Sequence, residues 1–210
     1  MSGLFITIEG TDGSGKTTQI NLLANYLESK GYKVITTREP GGTPISEKLR
    51  EIIIDKNNTE MTDITEALLY AASRAQHISQ VITPALNDGY IVISDRFLDS
   101  SIVYQGFARG MSEKLIRSIN KYSVGELEPD ITFFFKLKPE DGIIRKEKQQ
   151  ELDRLESEKQ SFHQRVYDGY IRLAKRNKDR IKVIDALKSI DTIQNEIIRH
   201  IEELISKYNI

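Results

Sequence analysis

The chain has 210 residues, 39% of them hydrophobic, with 30 lysines and arginines against 31 aspartates and glutamates. That length suits one α/β domain with a substantial core, and a formal charge of -1 excludes the overall basic field that would point to nucleic acid or a membrane surface. The absence of cysteine excludes disulfides, thiolate metal sites and cysteine nucleophiles, and His77, His163 and His200 are too scattered to suggest a histidine metal site.

Met1-Ser2-Gly3 lacks a basic flank and a long apolar run, so neither a signal peptide nor a membrane span is expected, and a cytoplasmic enzyme is the default reading. Leu4 to Glu9 reads as a strand and is followed by Gly10-Thr11-Asp12-Gly13-Ser14-Gly15-Lys16-Thr17, which fits G-x-x-x-x-G-K-[ST]. Strand, loop and following helix are the context this motif requires. Its glycines let backbone N–H groups turn inward around phosphate oxygens, and the helix that follows adds the positive end of its dipole. Lys16 can reach the outer phosphates, and Thr17 can give its hydroxyl to a magnesium ion bridging them. With Thr18, these residues form the candidate ATP-binding loop.

Apolar Ile20, Leu22, Leu23 and Leu27 suit a helix capped near Gly31, and Lys33 to Thr37 reads as a second strand. It opens into Arg38-Glu39-Pro40-Gly41-Gly42-Thr43-Pro44, a loop at the carboxyl end of the sheet, where open α/β sheets bind ligands. A short helix from Ile45 to about Asp55 presents Arg50. Asp63 and Glu66 resemble a capping box opening a longer helix to about Val81, ended by Pro84, with Tyr70 and Arg74 sharing one face.

Tyr90 to Asp95 is nearly continuous in apolar residues, as a strand buried on both sides should be. A helix from near Asp99 places Ser101 and Gln105 on one face and is interrupted by Gly106 and Gly110. Glu113 to Val124 reads as a helix, Ile131 to Lys136 as a strand, and Pro139 and Glu140 start another helix. The charged run from Arg145 to Gln160 reads as a solvated helical hairpin. A long helix around Phe162 to Arg176, a strand at Ile181 to Ile184 and an amphipathic helix through Ile193, Ile197, Ile201 and Ile205 complete the chain. Five strands separated by helices imply a parallel sheet covered on both faces.

A phosphate loop names a ligand class but not a reaction. A guanine switch should show Asn-Lys-x-Asp, and both Asn120-Lys121-Tyr122-Ser123 and Asn177-Lys178-Asp179-Arg180 fail. Motors and transporters usually follow the third-strand aspartate with a water-activating glutamate, whereas Asp95 is followed by Arg96. Arg38, Arg50 and Arg96 instead fall at or near carboxyl ends of strands, where planar guanidinium groups can hold a monophosphate. That pattern suits phosphoryl transfer between two anionic nucleotides, which depends mainly on positioning and charge stabilisation. An ATP-binding switch without an acceptor is the contrasting reading.

The chain resembles the bacterial thymidylate kinases along nearly all its length. The matching stretches are Gly10 to Thr17, Thr37 to Thr43, Asp95-Arg96-Phe97 with Ser100-Ser101, Tyr104-Gln105-Gly106, and Glu151-Leu152-Asp153-Arg154. The resemblance implies a P-loop NTPase fold over residues 1–210 as a single domain, with sheet order 2-3-1-4-5 and a mobile lid at about 142–160. It implies transfer of the γ-phosphoryl group of ATP to thymidine monophosphate (dTMP), giving dTDP and ADP for dTTP synthesis, with Mg2+ and in a homodimer.

By the same resemblance Asp12 accepts from the sugar 3′-hydroxyl, Tyr70 stacks on thymine, and Arg74 donates to its O4, where cytosine carries an amino donor. Ser101 and Gln105 complete the polar edge around the base, and Tyr104 lies against the sugar, disfavouring a ribose 2′-hydroxyl. Arg38, Arg50 and Arg96 hold the acceptor phosphate, Glu39 and Asp95 organise metal and water, Thr17 and Asp95 serve the metal, and Lys16 stabilises the transferring group. The departure lies in the lid: Glu147 and Gln149 stand where basic residues are common, so Arg154 is expected to order the lid and contact ATP, with Lys148 as substitute, and the transition-state cation is left open between the two. The sequence leaves the isomer of Glu39-Pro40 open.

Overall fold

A computed structural model describes residues 3–146 and 153–208, with the backbone alone for 143–146. Five parallel strands stand in the order β2-β3-β1-β4-β5: β1 (Leu4–Gly10), β2 (Val34–Arg38), β3 (Ile91–Asp95), β4 (Ile131–Lys136) and β5 (Ile181–Asp185). β1 lies at the centre, with Leu4 opposite Ile91 and Ile6 opposite Ile131. Every residue of β1 is buried, which explains its unbroken apolar and β-branched run.

One face of the sheet is covered by α1 (Lys16–Ser29) and α9 (Ile190–Tyr208). Leu23 and Leu27 of α1 and Ile193, Ile197 and Ile201 of α9 pack there on Leu4, Ile6, Ile8 and Phe133. The four-residue spacing of the α9 isoleucines puts them on one stripe, and each such side chain, fully buried, contributes about 1.5–3 kcal/mol. Over the other face, α8 (Gln160–Arg176) lays Phe162, Val166, Tyr170 and Leu173 against Phe134 and Ile181. Phe5, Val92 and Phe97 join Ile78 and Ile82 in a third cluster on that side.

α2 (Pro44–Ile54), α3 (Asp63–His77) and α6 (Glu113–Val124) pack side by side, with α3 in the middle. The cap of α3 is Thr62, whose side chain accepts from the Thr65 N–H; Asp63 is the first helical residue and Glu66 makes no cap at all. Pro84 does not end this helix. A π-helical turn (Ile78–Ile82) carries the axis into α4 (Thr83–Asn87), and Pro84 falls in its first turn, where a missing N–H is tolerated.

Gly106 likewise interrupts nothing. α5 (Leu98–Ser101) widens into a π-helix (Ile102–Ala108) that contains Gly106, and Gly110, at φ +81°, follows that helix. α7 (Pro139–Lys146) leads toward the charged run, of which Glu147, Lys148 and Gln149 lie outside the described residues. From Asp153 to Glu158 the chain makes turns rather than the helical hairpin expected, because Leu155 is buried beside Phe162 and anchors it inward. Among the described residues no helix is long and apolar enough to cross a membrane.

Candidate functional site

At the carboxyl end of β1 the chain turns on Gly10, at φ +146°, where a Cβ would stand 2.8 Å from the Phe135 carbonyl oxygen. Only glycine fits there, and Gly13 and Gly15 also take positive φ. Lys16 is buried at the start of α1 and donates to the carbonyl oxygens of Gly10 (3.4 Å) and Thr11 (3.2 Å), with Asp12 Oδ1 at 3.8 Å. Burial, then the Arg96 charge, lowers its pKa, and Asp95, Asp12 and Glu9 oppose that shift.

Thr11 Oγ1, Ser14 Oγ and Asp95 Oδ1 are buried without hydrogen-bond partners, and Thr17 and Thr18 are exposed at the head of α1. Buried oxygens left in this state carry a desolvation cost that a ligand can relieve. This oxygen-only set suits a hard cation with its water shell.

Arg96 follows β3 at φ +71°, the one positive φ outside glycine among the described residues, a conformation that costs about 1–3 kcal/mol. Surrounding bonds hold it: its N–H donates to the Ile8 carbonyl (2.9 Å) and its carbonyl accepts from Ser94 Oγ (2.8 Å). The guanidinium thereby reaches Asp12 Oδ1 (3.0 Å) and Ser100 Oγ (3.2 Å) and lies 5.3 Å from the centre of the Tyr104 ring.

Beneath it is a carboxylate that sequence reasoning passed over. Glu9 Oε1 accepts from the Phe97 and Ser100 N–H groups, and its Oε2 accepts from Ser100 Oγ (2.6 Å) and Tyr170 OH (2.7 Å). Burial, with the Asp99 charge, pushes Glu9 up to about 7, and Arg96 and the two hydroxyls oppose this. The only signal was a carboxylate closing an otherwise apolar strand.

On α3, Glu66, Tyr70 and Arg74 follow one another at four-residue spacing and share a face. Arg74 is almost wholly buried and donates to Glu39 Oε2 (2.7 Å), Asn120 Oδ1 (2.5 Å), the Phe97 carbonyl (3.2 Å) and Ser101 Oγ (3.0 Å). The Glu39-Pro40 peptide is cis, and Arg38 and Arg50 both donate to the Pro40 carbonyl, at 3.0 and 3.2 Å. Glu39 spends its oxygens on Arg74 and on His77 Nδ1 (3.1 Å).

One cavity beside the phosphate loop is lined by Asp12, Glu39, Arg50, Tyr70, Arg74, Arg96, Ser101, Tyr104 and Gln105. Of the residues grouped around the acceptor from the sequence, only Arg38 is outside that lining; it pairs with Glu47 at 2.7 Å. Arg154 does not line the cavity either. Its Nε donates to the Ile53 carbonyl (2.7 Å) and its Nη2 to Glu66 (2.5 Å), while its neighbours Asp153, Leu155 and Glu156 form part of the wall. Glu66, read only as a helix cap, and Asn120 and Tyr170 were not placed at the site from the sequence because each acts through partners at least 39 residues away, Gln105, Arg74 and Ser100 respectively.

A family model described as "Thymidylate kinase" matches residues 8–197. A thymidylate kinase of Exiguobacterium sp. is 48% identical over 207 residues, covering 99% of this chain and 98% of the relative. One of Symbiobacterium thermophilum is 46% identical over 204 residues, covering 97% and 95%. The crystal structure of thymidylate kinase from Ehrlichia chaffeensis superposes with a TM-score of 0.78 at 36% identity, covering 96% of this chain and 99% of that one.

Proposed function

The chain belongs to the thymidylate kinase family, and from that premise we propose that it transfers the γ-phosphoryl group of ATP to dTMP, giving ADP and dTDP for dTTP synthesis. The observation that carries this reading is the single cavity in which Tyr70, Arg74 and Gln105 stand beside Arg50 and Arg96, next to the phosphate loop. A switch has no use for such a pocket; a kinase needs it to hold an acceptor.

In the reaction a phosphate oxygen of dTMP bonds to the γ-phosphorus of ATP, and the bond to the bridging oxygen of ADP breaks. The loop from Gly10 to Thr18 holds the donor phosphates, and Lys16 stabilises charge on the group in transit. Arg96 and Arg50 hold the acceptor phosphate, with Arg38 behind them at the Pro40 carbonyl. Tyr70 stacks on the base, Arg74 and Ser101 mark its polar edge, and Tyr104 and Asp12 meet the sugar. Thr17 and Asp95 hold Mg2+, which neutralises phosphate charge when bound.

We read residues 1–210 as a single kinase domain with a lid at about 142–160. Arg154 orders that lid through Ile53 and Glu66. Comparison of Arg154→Ala with Lys148→Ala decides which of them supplies the transition-state cation. Exposed Ile64 and Leu68 on α3 and Leu115 on α6 support a homodimer formed on these adjacent helices. The substrates suit a cytoplasmic enzyme.

Initial rates with magnesium-ATP against the thymidine, deoxyuridine, deoxycytidine, adenosine and guanosine monophosphates test the reading. A clear preference for dTMP is expected. Comparable rates on purines would reassign the base site, and ATP binding with no turnover would overturn the kinase assignment.

A further inference from the structure

Glu66, on α3, is buried and points its carboxylate at three donors from outside that helix. Its Oε1 accepts from Gln105 Nε2 at 2.9 Å and, at 3.4 Å, from Arg109 Nε; its Oε2 accepts from Arg109 Nη2 at 3.1 Å and Arg154 Nη2 at 2.5 Å. Burial alone would raise its pKa, but the Gln105 hydrogen bond and the arginines outweigh it and hold Glu66 below the usual carboxylate range. It is an ionised, acceptor-only group.

An acceptor-only neighbour settles which way the Gln105 amide faces. The NH2 must turn to Glu66, because the opposite orientation would set two oxygens against each other. Gln105 Oε1 is then left buried, without a hydrogen-bond partner, in a side chain that lines the substrate cavity. An acceptor held there matches the N3–H of a keto pyrimidine such as thymine or uracil. It opposes cytosine, whose N3 is itself an acceptor.

We propose that Glu66 is a specificity-determining positioning residue: by holding the Gln105 amide in one orientation, it makes the base site accept thymine or uracil and refuse cytosine. This deepens the proposed kinase function and rests on the base occupying this cavity. Because the same carboxylate binds Arg154, the contact that sets base choice also anchors the segment read as the lid.

The test is Glu66→Gln. Two arginine contacts, from Arg109 Nη2 and Arg154 Nη2, still require an oxygen at the Oε2 position, against one longer Arg109 Nε contact at Oε1, so the new amide turns its NH2 toward Gln105, whose own NH2 is then driven toward the cavity. The ratio of kcat/KM for dTMP to that for deoxycytidine monophosphate is expected to fall at least about tenfold, with the deoxycytidine value held or raised. A merely structural role would lower both values together and leave the ratio unchanged, which overturns the proposal. Should Glu66→Gln fold poorly, Gln105→Ala reads the same ratio. An unchanged ratio there overturns the proposal, and a fall in the ratio supports it. A wild-type protein that binds ATP but turns over neither monophosphate would instead overturn the kinase reading beneath it.

Discussion

Glu39 and Arg74, 35 residues apart in sequence, meet in a 2.7 Å ion pair with both side chains almost wholly buried. The pair joins the loop after β2 to the last turn of α3, and Arg74 lines the cavity from that position. Removing one partner of such a pair strands the other charge in a low-dielectric interior. Glu39→Ala is therefore expected to lose about 3–5 kcal/mol of stability, measured by urea unfolding. Arg74→Ala should lower kcat/KM for dTMP by about 2–3 kcal/mol, the scale of a good base contact. An unchanged constant would remove Arg74 from the base site.

Lys16 donates to two loop carbonyl oxygens and has a long 3.8 Å pairing with Asp12, so its charge is available to the phosphates. Its interaction grows as charge develops in transfer, so Lys16→Ala should lower kcat by about 100-fold or more, as for loss of one preorganised donor. The dTMP dissociation constant, measured by calorimetry, should change far less. Retained turnover would exclude the phosphate-loop assignment.

Asp95 keeps a buried oxygen without a partner beside the loop. Asp95→Asn removes the charge with little change in shape, and the magnesium concentration giving half-maximal rate should rise. A magnesium titration at saturating ATP reads this directly, and an unshifted midpoint would take Asp95 out of the metal site.

Glu9 gives a pH dependence whose sign can be worked out. Its pKa is raised from the ordinary value of 4.5 to about 7, chiefly by burial, so the folded protein binds the proton more tightly than the unfolded chain. The stabilising contribution is fully present below 4.5 and is lost as pH rises through 7. A tenfold difference in proton affinity between the two states corresponds to about 1.4 kcal/mol. The stability difference between wild type and Glu9→Gln should accordingly move against wild type from pH 4.5 to 7 and level off above. A difference independent of pH would mean that Glu9 does not titrate in that window.

The phosphate loop and the strands were legible because their causes are local, whereas the strand order came only from the family resemblance. Gly10, Gly13 and Gly15 precede Lys16 at fixed spacing, and runs such as Leu4 to Ile8 and Ile91 to Ile93 can only be buried strands. The family resemblance, carried by motifs around Arg38, Arg96 and Gln105, named most of the cavity before any side chain was placed. Helix ends were read less well. Pro84 and Gly106 look like breakers, yet π-helical turns absorb both.

What the sequence by itself determined is therefore the fold class, the donor-phosphate loop and the residue types around an acceptor. Each follows from short-range rules of backbone conformation and side-chain chemistry. Only the tertiary structure decided how buried charges are paired: Glu39 with Arg74, Glu9 with Ser100 and Tyr170, and Glu66 with Gln105, Arg109 and Arg154. A buried carboxylate must find its donors wherever the packed chain brings them. Those donors lie tens of residues away in sequence, where no local pattern records them.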